Sequence, residues 1–282
     1  MANIKIITDS TCDLSSAIVK ELNIAIVPLY VVFKDVSYRD GVDITAAELY
    51  SKVNKLKELP KTSAPSPKDF HEVFKPYIDN GDDILYIGLS SRLSSTIQNA
   101  KIAANEFPEG RIKIIDSFNL STGIGLLVLM AADFVKEGLT LKEIFARIQE
   151  SLPKVKTSFV INTLEYLHKG GRCSAIQSFV GGMLKIKPIV QVVDGRMILG
   201  HKTRGKIEKS LRSLIELTMK DKDRIDLKRI IITHSEADEE AKLLKKGLEE
   251  ALSPKSIIIT SAGCVISSHC GPKTVGIIYL TK

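Results

Sequence analysis

Five side-chain hydroxyls fall within seven consecutive positions of the sequence, in the segment SSRLSST at 90–96. The apolar run DILYIGLS precedes this segment and a stretch with helical periodicity follows it, so the hydroxyls lie between a strand and a helix. Capping that helix takes a single serine. The other hydroxyls, together with the unpaired N–H groups of a helix N-terminus, suit a negatively charged ligand. The segment therefore predicts an anion site.

Two further polar loops also follow predicted strands, TDSTCDLS at 8–15 and DSFNLSTG at 116–123. Ligands of open α/β sheets bind at the carboxyl ends of the strands, beside helix N-termini. The alternative is that Ser15, Ser94 and Ser121 are only N-caps of the helices that follow. That alternative explains any one loop better than it explains all three together.

The segment LPKTSAPSPKDF contains three prolines and three hydroxyls between residues 60 and 67. Ser66 is predicted to cap the next helix, which leaves Thr62 and Ser63 without a structural assignment. A stiff loop that fixes one hydroxyl in space is useful in a binding site, because less freedom is lost on binding.

A serine hydrolase is the catalytic alternative, with Ser94 on the strand-to-helix turn as its nucleophile. The glycines of a Gly-x-Ser-x-Gly elbow are missing around Ser94, which argues against this alternative. The chain has five histidines, so the histidine of a catalytic triad is available. His269 stands out among them, because SSHCGPKTVGIIYL places it before a Gly-Pro turn at the entrance of a strand.

Composition argues against several other classes of protein. The net charge is +7, but the lysines are spread over helical faces beside acidic residues and there is no tryptophan, which is untypical of nucleic-acid binding. The four cysteines are scattered without a C-x-x-C pair, so we expect reduced thiols rather than disulfides or zinc ligands. Asp9 and Asp13 are predicted to have turn and cap roles. No metal and no cofactor is expected.

Two features predict the location of the protein. The longest apolar run, GIGLLVLMAADF, is about half the length that a membrane-spanning helix requires. The opening residues MANIKIITDS go directly into a strand pattern rather than a signal peptide. We therefore expect a soluble, cytoplasmic protein.

The elements that position these residues predict an α/β fold with two domains. In the first half, strands that are apolar throughout alternate with helices, which indicates a mostly parallel sheet covered on both faces. Pro153 marks a boundary, giving domains at 1–155 and 156–282. The second domain is predicted to hold a mixed sheet, because PIVQVVDGRMILG alternates around Asp194-Gly195, a strong hairpin signal.

Eight segments of this chain, in order, resemble those of the DegV family. They are IKIITDSTCDLS, YRDGVDIT, KTSAPSP, SSRLSSTIQNA, IDSFNLSTGIGLLV, GGRCSAIQ, KPIVQVVDGRM and SSHCGPKTVGIIYL. The resemblance covers essentially the whole chain. It implies a fatty-acid-binding protein whose two α/β domains enclose one acyl chain in a tunnel between them.

The resemblance also implies roles for particular residues. Thr62 and Ser94 match the two hydroxyls that hold the fatty-acid carboxylate, and His269 matches the histidine that completes this head-group site. The chain departs from the family pattern at three positions, each close in sequence to one of these residues, where it has Ala64, Ser95 and Lys273. These departures affect the turn geometry more than the class of ligand.

Some family members present the bound acid to a separate kinase subunit that forms an acyl phosphate. The resemblance therefore implies a bacterial fatty-acid kinase as partner. Arg172 in GGRCS and Arg204 in HKTRGK are then candidates for contact with phosphate or with the partner, since a guanidinium binds phosphate oxygens in pairs. The alternative for each is an ordinary solvated arginine. A third hypothesis, a small-anion-binding module, does not explain why two domains are needed.

Overall fold

The structure is a computed structural model, which describes residues 3–172 and 186–282 of the chain, except for the side chain of Ile186. Cys173, predicted to be a reduced thiol, lies outside the described residues. The strands are β1 Ile4–Asp9, β2 Ala25–Val27, β3 Tyr30–Phe33, β4 Val36–Arg39, β5 Lys61–Ser63, β6 Asp83–Gly88, β7 Ile112–Asp116, β8 Val155–Val160, β9 Ile186–Val193, β10 Arg196–Arg204, β11 Ile225–Ser235, β12 Ile257–Ser261 and β13 Thr274–Thr281. The helices are α1 Ser16–Glu21, α2 Ala46–Leu56, α3 Pro67–Asp79, α4 Thr96–Ala104, α5 Thr122–Lys136, α6 Leu141–Ser151, α7 Glu165–Lys169, α8 Ile207–Met219, α9 Asp238–Leu252 and α10 Cys264–Cys270.

The first half of the chain builds a four-stranded sheet in the order β2-β1-β6-β7. All three strand pairs are parallel, as the alternation of apolar strands and helices predicts. The carboxyl ends of β1, β6 and β7 lead into the three polar loops. The predicted α/β class and the parallel sheet are confirmed.

The second sheet has six strands in the order β10-β9-β8-β13-β11-β12. It is mixed, because β11 and β12 are parallel while the other neighbours are antiparallel. The predicted hairpin is present, with Asp194 at φ 47° and Gly195 at φ 75° between β9 and β10. Two left-handed residues in a two-residue turn match the right-handed twist of the strands. The first strand of this sheet begins at Val155; the boundary at residue 155 stays a prediction.

A third, three-stranded antiparallel sheet, β4-β3-β5, corrects part of the sequence prediction. IAIVPLYVVF, predicted as one strand, forms β2 and β3 on either side of Pro28, which cannot donate to a strand ladder. The predicted proline-rich connector contains a short strand, β5. There Thr62 is paired with Val31 of β3, so its backbone is fixed by a ladder rather than by prolines alone.

Helix α5, which contains the apolar run GIGLLVLMAADF, lies between the two large sheets. It packs against β1 and β6 on one side and against β8, β11 and β13 on the other. A helix with neighbours on opposite faces is apolar all round. Burial between the two sheets therefore explains the apolar run, and no membrane is needed to account for it. No helix among the described residues combines the length and apolarity needed to cross a membrane.

Candidate ligand-binding site

A cavity of about 890 Å³, including its opening, lies against one face of the six-stranded sheet. Thr274, Gly276 and Ile278 of β13 line it, and Thr157 and Phe159 of the neighbouring β8 line it beside them. Alternate residues of a strand share one face, so this pattern identifies the sheet face as the floor.

The roof of the cavity comes from the first half of the chain and from α10. Its side chains are mostly apolar, from Leu29, Ala64, Leu89, Leu93, Leu120, Val265 and Ile266. The cavity therefore lies between elements of the two predicted domains, as the family resemblance implies.

The hydroxyl groups that line the interior are satisfied within the protein. Each hydrogen-bonds to a neighbour: Ser121 to Asp13, Thr157 to Asn119, Thr233 to Thr122, Ser235 to Tyr50 and Thr274 to the carbonyl of Cys270. A hydroxyl that already has its partner leaves mainly its carbon atoms to contact a ligand. The interior consequently behaves as an apolar surface that suits an alkyl chain.

Gly276 permits the close approach of β8 and β13 in the floor of the cavity. An added Cβ at this position would lie 2.9 Å from the Cβ of Phe159, closer than two carbon atoms can approach. The sequence shows a glycine within a strand pattern here, which is a signal for close approach of another group.

Three predicted site residues, Thr62, Ser94 and His269, line the same cavity. Thr62 Oγ1 and His269 Nε2 are 2.8 Å apart, a hydrogen bond that joins β5 to α10 across 207 positions of the sequence. Ser94 lies in the turn before α4, where its Oγ accepts from Thr96 N at 3.3 Å and is 2.8 Å from Thr96 Oγ1. The structure thus brings together residues that are distant in sequence.

Of the five hydroxyls at 90–96, Ser94 is the one that lines the cavity. Ser90 is fully buried and donates to the carbonyl of Gly195 at 2.9 Å, which fixes the β9–β10 hairpin against the first domain. Ser95 is exposed and occupies the N-cap position of α4 without a side-chain cap bond. Ser94 therefore belongs to the site and Ser90 to the contact between domains, while Ser95 belongs to neither.

The N-cap alternatives have different outcomes at the other loops. Ser15 does cap α1, since its Oγ accepts from Ile18 N at 3.4 Å. The N-cap alternative is wrong for Ser121, which makes no cap bond to α5 and donates instead to Asp13 at 2.5 Å. Ser66 caps α3 with Asp69 in a reciprocal capping box, as predicted.

Helix α10 positions His269, and the side chains of two buried aspartates hold the start of this helix. Asp13 accepts from Gly263 N at 2.8 Å, while Asp40 accepts from Cys264 N at 2.8 Å and Val265 N at 3.3 Å. Burial raises the pKa of Asp13 to about 8, with hydrogen bonds opposing the shift. Asp13 has the predicted cap role, but the helix it caps lies about 250 residues away in sequence.

The imidazole of His269 is half-buried and stays neutral at neutral pH. Desolvation, with a smaller effect from the positive charge of Arg172, lowers the pKa of His269 to about 4. Its Nδ1 has no hydrogen-bond partner among the described residues. Nδ1 faces Gly170, where an added Cβ would lie 2.3 Å from this atom. Gly170 therefore leaves the space that the ring occupies.

Arg172 lies at the mouth of the cavity beside these groups. Its Nη1 donates to the carbonyl of Gly170 at 3.0 Å and its Nε to the carbonyl of Leu93 at 3.4 Å. Leu93 directly precedes Ser94, so Arg172 lies close to the hydroxyl of Ser94. Arg172 is the only positively charged side chain that lines the cavity among the described residues. Arg204 is elsewhere, exposed at the end of β10 and not in the cavity lining.

The geometry does not assemble the relay of a serine hydrolase. His269 Nε2 contacts Thr62 rather than Ser94, and no carboxylate holds Nδ1 among the described residues. A serine nucleophile needs a base in contact with it and an orienting group behind that base. No cluster of three or more metal-ligating side chains occurs among the described residues either.

A family model described as "Uncharacterised protein, DegV family" matches residues 3–282. The chain belongs to the DegV family. It is 34% identical over 282 residues to a DegV domain-containing protein of Caldanaerobacter subterraneus subsp. tengcongensis, covering 100% of both chains. A DegV domain-containing protein of Clostridium acetobutylicum is 35% identical over 282 residues, again with 100% of both chains covered.

Solved structures of DegV proteins have the same fold. One described by fatty-acid binding, from Thermus thermophilus, superposes with a TM-score of 0.92 at 32% identity, covering 99% of this chain and 100% of that one. A fatty-acid-binding DegV protein of Streptococcus agalactiae gives a TM-score of 0.90 at 28% identity, with 100% of both chains covered. A stearic-acid-binding protein of Eubacterium ventriosum gives 0.89 at 26% identity, covering 100% and 99%.

Sequence reasoning missed two residues that position His269 and its helix. Gly170 belongs to a Gly-Gly-Arg segment in which only the arginine is a candidate by residue type, because a missing side chain gives no signal of what fills its space. Asp40 is separated from the start of α10 by more than 220 residues, so no local pattern connects them.

Proposed function

We propose that this DegV protein binds one long-chain fatty acid, with the acyl chain along the floor of the six-stranded sheet and the carboxylate at Thr62, Ser94 and His269. The observation that carries the proposal is an apolar cavity with a hydroxyl–imidazole pair at its mouth. Relatives of the same fold are described by fatty-acid binding, which supports the same class of ligand.

Burial of the chain supplies the affinity. A long acyl chain has about 14 methylenes, and at about 0.8 kcal/mol each their burial favours binding by roughly 10 kcal/mol. The satisfied hydroxyls of the interior do not oppose this, since none needs a partner from the ligand.

The head group needs different chemistry, because a carboxylate removed from water without hydrogen bonds is unstable. The hydroxyls of Thr62 and Ser94 can donate to it, and the guanidinium of Arg172 at the mouth contributes a positive charge. When the neutral imidazole of His269 carries its proton on Nε2, it donates to Thr62 Oγ1 and leaves the Thr62 hydroxyl free to donate to the carboxylate. We call Thr62, Ser94 and His269 the seat. Their neutral groups hold the acid while leaving its oxygens accessible at the opening.

Accessible oxygens at the mouth suit presentation of the acid rather than catalysis by this chain. A separate fatty-acid kinase, located with this protein in the cytoplasm, would phosphorylate the carboxylate. The acyl phosphate adds negative charge at the mouth of the cavity, where the guanidinium of Arg172 can contact it. Arg204, on an exposed strand end, is the candidate for contact with the kinase surface. The carrier role without phosphorylation uses the same cavity and seat.

Calorimetry of delipidated protein with palmitate and with hexadecanol tests the binding proposal. Both ligands bury the same kind of chain, but only palmitate has a carboxylate for the seat. We expect palmitate to bind with one site per chain and more tightly than hexadecanol. Absence of palmitate binding, or equal affinities for acid and alcohol, would contradict the proposed seat.

A further inference from the structure

The two ends of the cavity can be identified along strand β13. Thr274 lies at the end near the seat, because its hydroxyl donates to the carbonyl of Cys270, the residue after His269. Ile278 lies four positions further along the same face, about 13 Å away at the rise of an extended strand. Ile278 is paired with Thr157 of β8, so Thr157 is at the far end of the cavity.

A second space, a groove of about 1,640 Å³, begins at Thr157. Its walls include Asn119, Leu152, Val155 and Val192. It lies where β8 and β9 separate, since their ladder pairs only residues 158–160 with 189–191. Of the described residues that line the two spaces, Thr157 is the one they share.

Thr157 is held in place as a partition. Its Oγ1 donates to Asn119 Oδ1 at 2.8 Å, and each residue is only 3% exposed. Gly123 permits this contact, because an added Cβ there would lie 2.1 Å from Asn119 Oδ1 and 2.8 Å from Thr157 Oγ1. Asn119 is fixed in turn, since its Oδ1 also accepts from Leu120 N at 3.0 Å.

We propose that Thr157, held by Asn119, sets the upper limit on the length of acyl chain that this protein accepts. The inference rests on the proposed function. With the carboxylate at the seat, each further methylene raises the affinity about fourfold until the chain reaches Thr157. A longer chain must then fold back or lift its carboxylate from the seat, and its affinity falls.

Removing the Thr157 side chain would connect the cavity to the groove. A chain end that passes this point enters a groove whose lining includes the apolar side chains of Leu152, Val155 and Val192 beside charged side chains such as Lys156, Asp221 and Arg224. Asn119 Oδ1 keeps the N–H of Leu120 as a partner in Thr157→Ala, so the substitution leaves no buried acceptor unsatisfied. The loss is therefore one of volume at the partition.

The test is a binding series of palmitate, stearate, eicosanoate and docosanoate on delipidated protein, measured by displacement of a fluorescent fatty acid. Thr157→Ala removes the partition, and Thr157→Val is the matched control that keeps its size without the hydroxyl. We expect docosanoate to gain at least about tenfold relative to palmitate in Thr157→Ala, and to be unchanged in Thr157→Val. Thr157→Ser, which loses only the methyl group, serves if the alanine variant does not fold, with a smaller gain expected.

Two results would overturn the inference. One is a wild-type protein that binds docosanoate as tightly as palmitate, which would mean that it has no length limit. The other is the same length profile in the wild type, the smaller-side-chain variants and Thr157→Val, which would place the limit elsewhere. Failure of the wild type to bind palmitate at all contradicts the proposed function instead, so the two failures are distinguishable.

Discussion

Gly170→Ala is expected to disrupt the fatty-acid seat by displacing His269, although Gly170 itself does not line the cavity. The added Cβ would lie 2.3 Å from His269 Nδ1 and 3.0 Å from His269 Cε1. Ordinary van der Waals contact begins near 3.4 Å, so the ring must move by about 1 Å. A shift of that size changes the 2.8 Å contact between Thr62 Oγ1 and His269 Nε2 beyond good hydrogen-bond geometry.

The expected magnitude follows from the bond that is lost. Without the Thr62–His269 contact the seat loses one well-placed hydrogen bond to the carboxylate, which contributes about 1.5–3 kcal/mol, so palmitate affinity should fall roughly ten- to a hundredfold. Hexadecanol affinity should change much less. Gly170 has φ −72°, an ordinary value for alanine, but the added Cβ would also lie 2.9 Å from the carbonyl oxygen of Tyr166, so the free energy of unfolding is measured beside the affinity.

A double-mutant cycle with His269→Ala isolates the cause. Once the imidazole is gone, the Cβ at position 170 has no ring to displace, and Gly170→Ala should then cost no further affinity. Calorimetry with palmitate on the four proteins measures the coupling, and thermal unfolding checks that each is folded. Equal losses of affinity in the two backgrounds would refute the idea that Gly170 acts through His269.

Three further predictions concern the seat, the partner contact and the helix that carries His269. Thr62→Ala and Ser94→Ala should each weaken palmitate binding by about 1.5–3 kcal/mol and hexadecanol binding much less; equal losses in calorimetry would indicate misfolding instead. Arg204→Ala should keep palmitate binding and lose most acyl phosphate formation in an assay with a cognate kinase. Normal acyl phosphate formation would mean that Arg204 is an ordinary solvated arginine. Asp13→Asn should stabilise the protein more at pH 9 than at pH 5. Because the pKa of Asp13 is raised to about 8, the folded wild-type protein holds a proton that the unfolded chain releases, so its stability falls as pH rises from about 4 to about 8. Denaturant unfolding at both pH values measures this, and a pH-independent difference would contradict it.

Much of the fold could be predicted because it depends on local pattern. Apolar strands alternating with helices identify the parallel sheet, and Asp194-Gly195 identifies a hairpin whose two residues indeed have positive φ. The break at Pro28 was also visible in the sequence, since proline interrupts a ladder, but the β-branched residues on both sides favoured one continuous strand. The three-stranded sheet depends on pairing between distant segments, which periodicity does not reveal.

Helix α10 shows why part of the site could not be predicted. Its sequence CVISSHC contains two β-branched residues and no N-capping side chain, so local propensity does not favour a helix. Asp13 and Asp40 supply the missing cap from far away in the sequence. The roles of Thr62, Ser94 and His269 are nevertheless predicted from the family resemblance rather than from spacing, and they stay predictions. The structure adds that the three line one cavity.

The central claim is that this cavity holds a long-chain fatty acid, and mass spectrometry of lipid extracted from the purified, denatured protein tests it most directly. The prediction is one long-chain fatty acid per protein chain, with the amount falling in the Gly170→Ala variant. A wild-type protein that yields no stoichiometric fatty acid, and binds none when palmitate is added, would contradict the claim.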